Sequence, residues 1–292
     1  MNLICYADYV NSSIKEQISF AKVLKINNII LRKLNDLKVY DLTDLEIKEL
    51  TTNLRKDKIN LFALDPELKS ELYYQSETIE NYIKTIDVAS SLKVENIFLR
   101  LPKVVDILTE FETLKVHLDE ILHHAKLKKI TILIKQEEIN NNVLAYIMNK
   151  YHERYLSIIF SPKDAILSKD SAISGYRILK QYFNTFVAAD LDTKNNPELL
   201  GYGRVDIINL FKRMKRDKYQ GNIILDDSFI KFFNNEEIKK VPLLKKLFKS
   251  KSIKDQYLTG YKLRIFSEDH EGLPDIYDIY LNQINVLNVV FN

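Results

Sequence analysis

The stretch from Leu156 to Asp226 opens on LSIIF (Leu156–Phe160), returns to TFVAA (Thr185–Ala189), passes a Gly-x-Gly loop, LGYGRVD (Leu200–Asp206), and ends on NIIL (Asn222–Leu225) before Asp226. The three apolar runs are short and rich in branched or aromatic side chains, as expected of strands covered on both faces. Between them, Ile173, Tyr176, Leu179 and Tyr182 recur at helical spacing within Ser168–Tyr182, and Ile207, Ile208, Leu210, Phe211 and Met214 do so within Val205–Arg216. One apolar stripe per segment predicts crossover helices on a parallel sheet.

The alternation continues towards the N-terminus. Strands are predicted at Leu3–Tyr6, Asn28–Arg32, Asn60–Leu64, Asn96–Leu101 and Ile130–Lys135, separated by helices at Ile14–Lys25, Asp44–Lys56, Glu77–Leu92, Phe111–Leu127 and Asn141–His152. Thr43 followed by Glu46 three residues on predicts a capping box at the second helix. Eight strand–helix units favour closure into an α/β (β/α)8 TIM barrel. An open doubly wound sheet is the second architecture compatible with this order. The loop after the first strand, Ala7–Asn11, carries no Gly-rich phosphate turn, which argues against a dinucleotide-binding version of it.

The chain has 292 residues and is 46% hydrophobic, enough for one large core. Barrel boundaries at 1–250 are expected, with a closing helix over Glu236–Ser250 interrupted at Pro242. Residues 251–292 form a C-terminal extension, with patterned segments at Gln256–Phe266 and Ile276–Val290, packing on the barrel or at a subunit contact. Tyr257, Tyr261, Tyr277 and Tyr280 are its adhesive residues.

Lys+Arg 43 against Asp+Glu 40 leaves a formal net charge of +3, so no general attraction to nucleic acid is expected. No segment approaches the ~20 apolar residues of a membrane span, and no secretory leader is expected. Cys5 is the only cysteine and reads as a buried, inert thiol. A reducing, cytoplasmic location follows as the expectation, with a homo-oligomer as an open possibility.

Two motifs carry a family resemblance. Leu200–Asp206 resembles the Leu-Gly-x-Gly-x-Ile-Asp segment, and Tyr219–Asp226 (YQGNIILD) the Tyr-x-Gly-x-x-x-x-Glu ending, of the xylose-isomerase-like TIM barrels, the group of sugar phosphate isomerases and epimerases, inosose dehydratases and endonuclease IV. Ser161–Asp164 (SPKD) stands where that group has Asp-x-x-His or Asp-x-x-Asn. The resemblance covers roughly residues 1–230. It implies Glu, Asp, His and Glu at four strand ends around one divalent metal, which polarises substrate oxygens while the glutamates move a proton.

The matching positions here read Lys135, Ser161, Val187 or Ala189, and Asp226. The histidine alternatives depend on whether Asp190 or Asp192 matches the family's aspartate. A lysine amine repels a divalent ion, so the usual metal site is expected to be absent, with no cofactor. His117, His123, His124 and His152 fall on or at the ends of helices, away from the strand ends, and His270 lies in the extension.

The strand ends instead carry Asp8, Arg32, Asp65, Arg100, Lys135, Ser161, Asp190 and Asp226. On a barrel this is the face that builds active sites. Lys135 and Asp226 are the candidate catalytic pair. Arg32, Asp65, Arg100, Ser161, Asp164 and Asp190 are the candidate substrate-binding residues. Arginine forks suit a sugar phosphate or carboxylate, and Lys135 is of the type that forms a Schiff base with a carbonyl. Glu137 and Glu138 read as loop or helix-start residues. A retired pocket plugged by pairs such as Arg32–Asp65 and Lys135–Asp226 is the competing reading.

Three functions remain open. They are a metal-independent or differently liganded sugar or sugar phosphate isomerase, epimerase or aldolase-like enzyme, a pseudoenzyme acting as ligand sensor or assembly partner, and, least favoured for want of histidines in the ring, a nuclease.

Overall fold

The structure, a computed structural model, describes residues 2–9, 12–137, 139–234, 253–266 and 270–291. Eight parallel strands close into a barrel in the sequential order expected of (β/α)8 topology. They are Asn2–Tyr6, Asn28–Leu31, Asn60–Leu64, Asn96–Arg100, Thr131–Lys135, Leu156–Phe160, Thr185–Ala188 and Asn222–Leu225. Closure excludes the doubly wound alternative.

Of the crossover helices, the one predicted over Ser168–Tyr182 is present as Ala172–Leu179, and an unpredicted helix, Pro162–Leu167, precedes it. Ser161 and Ser171 each cap one, and Lys169 at φ 63 breaks the path between them. Pro162 suits the first helical turn, where its missing N–H costs nothing. The closing helix expected over Glu236–Ser250 lies outside the described residues.

Asp44–Asp57 begins with the expected box: the Thr43 side chain accepts from the Glu46 amide, and Glu46 Oε2 accepts from the Thr43 amide at 2.7 Å. The backbone bond holds the Glu46 carboxyl below its ordinary pKa. Thr43→Ala is expected to lower stability by about 1 kcal/mol in urea denaturation; no change would mean that water replaces the cap.

Packing divides the chain into two units, residues 1–188 with 219–224, and residues 189–218 with 225–292. The first unit carries the barrel interior, and its side chains form three tiers. In the middle are Ile4, Ile30, Ala63, Phe98, Leu133, Ile159 and Ile224, with Phe62 and Val187 packed against them. Two residues earlier on most strands, hence on the same face, stand Asn2, Asn28, Asn96, Thr131, Ser157, Thr185 and Asn222. Asn60 joins them through its register with Asn28, the third strand having an irregularity after Leu61. The tier at the strands' N-terminal ends is therefore wholly amide and hydroxyl. Two residues beyond the middle tier come Tyr6, Arg32, Asp65, Arg100, Lys135 and Ser161, the C-terminal mouth.

Cys5 faces away from the interior, fully buried, and burial pushes its thiol up to about 12, as an inert core residue requires.

The second unit joins the loop after the seventh strand to the C-terminal helices Ile253–Ile265 and Ile276–Phe291. Tyr257 donates to Asp192, Tyr261 to the Pro197 carbonyl, and the Leu200 amide to Gln283. Phe211 meets Phe291 edge-on. Tyr257 and Tyr261 of the extension thus fasten to this loop. Among the described residues no helix is long and apolar enough to cross a membrane.

Candidate active site at the barrel mouth

Asp65 is the hub of the mouth. It is completely buried at the end of the third strand. Arg100 grips it with both terminal nitrogens, Nη1 to Oδ1 at 2.6 Å and Nη2 to Oδ2 at 3.0 Å. Tyr6 donates its hydroxyl to Oδ2 at 2.7 Å, and the Glu67 amide donates to Oδ1. Lys135 Nζ stands 3.6 Å from Oδ2. Burial by itself would raise the Asp65 carboxyl, but the charges of Arg100 and Lys135 and the hydrogen bonds from Arg100 and Tyr6 outweigh it and hold it well below the carboxylate range.

Lys135 ends the fifth strand beside its register partner Arg100. Its amine also lies 3.4 Å from the Tyr6 hydroxyl and 3.5 Å from Glu137 Oε1. Arg100 Nε donates to the same Glu137 oxygen at 2.9 Å. Arg32 sits over the Tyr6 ring at 4.4 Å and donates Nε to Asp8 at 2.6 Å, with Glu67 at 3.5 Å.

The Arg32–Asp65 pair expected of a plugged pocket is therefore replaced. Asp65 takes Arg100 and Lys135, not Arg32, and within the first unit Lys135 takes Asp65 and Glu137. Glu137, read from sequence as a loop residue, joins the cluster. So does Glu67, which sequence reading did not single out. Both are held at positive φ, 34° for Glu137 and 50° for Glu67, a strained placement for residues with a Cβ and one that accumulates at functional sites. Their chemistry carried no sequence signal, because loop conformation delivers them. Glu138 lies outside the described residues.

The other candidates are accounted for locally. Ser161 is buried; its hydroxyl accepts from the Asp164 amide and its own amide donates to Gln136. That makes Ser161 a helix cap and sets Asp164 in the first helical turn.

In the second unit, both Asp190 carboxylate oxygens accept from backbone amides: Leu191 and Val205 on Oδ1, Gly201 and Gly203 on Oδ2, at 2.9–3.1 Å. Burial raises this carboxyl against the pull of the four amides. A Cβ on Gly203 would fall 2.1 Å from Asp190 Oδ1, which explains the second glycine of the Gly-x-Gly loop. Asp226 is buried after the eighth strand, and its carbonyl accepts from Tyr280.

The histidines lie elsewhere: His124 contacts Asp87, His117 packs on Tyr73 and Tyr74, His152 caps a helix, and His270 stacks on Phe266.

No family model matches the sequence, and no curated protein matches it at the sequence level. Solved structures do match. L-ribulose 3-epimerase aligns over 100% of this chain and 95% of its own, with a TM-score of 0.69 at 10% identity. The fold is the same (β/α)8 barrel. A D-psicose 3-epimerase with D-tagatose from Clostridium cellulolyticum H10 matches over 99% of this chain and 98% of its own (TM-score 0.66, 12% identity). A xylose isomerase domain protein from Planctomyces limnophilus matches over 90% and 97% (TM-score 0.66, 15% identity). At these identities the likeness is one of fold.

Proposed function

We propose that this barrel binds a small sugar or sugar phosphate at its C-terminal mouth without a divalent metal, Lys135 meeting the ligand's carbonyl oxygen. One observation carries the reading: Lys135 Nζ stands among Tyr6, Asp65 and Glu137 at the face where barrels of this fold are built to act. Solved neighbours named as sugar epimerases support the ligand class.

The donor set does not fit the metal implied by the resemblance. Lys135 brings an ammonium where the first acid would stand, and Ser161 has its hydroxyl engaged as a cap. Among the described residues, no three His, Cys, Asp or Glu side chains gather as metal ligands. In the proposed role, Lys135 and Arg100 supply positive charge to a polarised carbonyl or to a phosphate. Asp65, held ionised by its partners, is a poor base and serves to position them. Glu137 is the more exposed carboxylate of the cluster, with its side chain 36% accessible, and is the one able to exchange a proton with a ligand.

A second reading, a barrel that senses its ligand without turning it over, rests on Asp65: Arg100, Tyr6 and the Glu67 amide already meet both of its buried oxygens, so the hub of the mouth is committed to structure.

Calorimetric titration of chelator-treated protein with keto- and aldo-sugars and their phosphates tests the proposal. Binding is expected to persist without metal and to weaken at least about tenfold in Lys135→Met, the loss of one charge-assisted hydrogen bond. A strict requirement for a divalent ion would overturn it. Binding without interconversion of the sugar would select the sensor.

A further inference from the structure

A cavity of about 1050 Å³ opens at the other end of the barrel interior, against the amide and hydroxyl tier. All its lining residues belong to the first unit. Its polar wall includes Asn28, Asn96, Thr131, Ser157 and Asn222, and Phe62 and Leu133 give it an apolar inner surface. Barrel interiors are ordinarily filled by branched apolar side chains through all their layers. Here the end tier is short and polar, so it leaves room.

Internal bonds fix how this wall presents its groups. Asn28 Nδ2 donates to Asn2 Oδ1 at 2.7 Å, and Asn2 Nδ2 donates to Asn222 Oδ1 at 2.8 Å. Asn96 Nδ2 donates to the Phe62 carbonyl at 2.9 Å. With their donors engaged in this way, the Asn28 and Asn96 carbonyl oxygens and the Thr131 hydroxyl have no protein partner among the described residues.

The rim is neutral in sum. Lys93 and Arg154 line the opening together with Glu95 and Glu153, and Lys126, from outside the lining, pairs with Glu153 at 2.5 Å. No excess of either sign selects an ion.

We propose that this end of the barrel is a second ligand site, for a neutral polyhydroxylated molecule such as a free sugar or polyol. Oriented amide oxygens and a hydroxyl match ligand O–H groups, and the Phe62 ring matches the C–H face of a sugar. The volume admits a ligand of that size, with ordered water to bridge the remainder. The inference does not depend on what binds at the mouth.

The test is titration of the full chain with a panel of neutral pentoses, hexoses and linear polyols, read by calorimetry and by the side-chain amide resonances of Asn28 and Asn96. Binding with shifts of those resonances is expected. Asn96→Leu and Thr131→Val, which keep side-chain volume while removing polar atoms, should each weaken it at least about tenfold. Lys135→Met at the mouth should leave the shifts of those two amides unchanged. The proposal is overturned if no neutral ligand shifts the two amides, if anionic sugars bind this end more tightly than neutral ones, or if Lys135→Met abolishes those shifts. Should either substitution unfold the chain, the resonance shifts in the unaltered protein decide.

Discussion

Asp65→Asn is expected to remove about 3–5 kcal/mol of folding stability, the cost of breaking a buried ion cluster by taking away one partner. The substitution is nearly isosteric, so no cavity contributes. What changes is that Arg100 and Lys135, both largely buried, lose the carboxylate that Arg100 grips with two hydrogen bonds and Lys135 approaches at 3.6 Å. The same cluster sets an acid limit. Asp65 is held well below the ordinary range in the folded chain, so its contribution is fully present above the unfolded value of about 3.9 and is lost as pH falls through the lower, folded value. Stability measured by urea denaturation should therefore drop on acidification below about pH 4, and that part of the drop should vanish in Asp65→Asn. A loss under about 1 kcal/mol at neutral pH, the range of an exposed ion pair, would sink the view of Asp65 as hub.

The second large effect is expected at Asp190. Asp190→Ala strips the acceptor from the amides of Leu191, Gly201, Gly203 and Val205. Each buried donor left unmet costs about 1–3 kcal/mol. The loop will recover some of this by rearranging, so a total of at least about 3 kcal/mol is expected. Asp190→Asn, which keeps one acceptor oxygen, should lose roughly half as much. Hydrogen exchange at Gly201, Gly203 and Val205 should accelerate in step. Full stability of Asp190→Ala, with ligand binding alone lost, would return Asp190 to the substrate-binding role expected from sequence.

These two aspartates mark the boundary of what the sequence reveals. Asp65 is legible as a mouth residue because it lies two positions beyond an interior alanine on a strand whose limits, Asn60–Leu64, are visible in the pattern. The eight strands are legible for the same reason: a strand covered on both faces announces itself locally. Pairing is another matter. Arg100 meets Lys135 through inter-strand register, a quantity set by the tilt of the whole barrel and written in no single segment. Glu67 and Glu137 reach the cluster through loop residues at positive φ, where side-chain type gives little warning. The helix Pro162–Leu167 was missed although a local signal for it was available, since Ser161-Pro162 is a start signal. The asparagines that begin five strands are plain as letters; only the register shows that they share one face.

The apolar middle tier separates the charged mouth from the amide end with a partition of hydrocarbon one side chain deep. Such a layer hydrates poorly and conducts neither protons nor ions. The two ends of the barrel axis thus exchange no water, ions or protons through its midpoint. A charge introduced at the amide end would still be felt at Lys135, because a low-dielectric layer transmits a field more strongly than water does, whereas exchanges among neutral amides and hydroxyls there add no charge for Lys135 to feel.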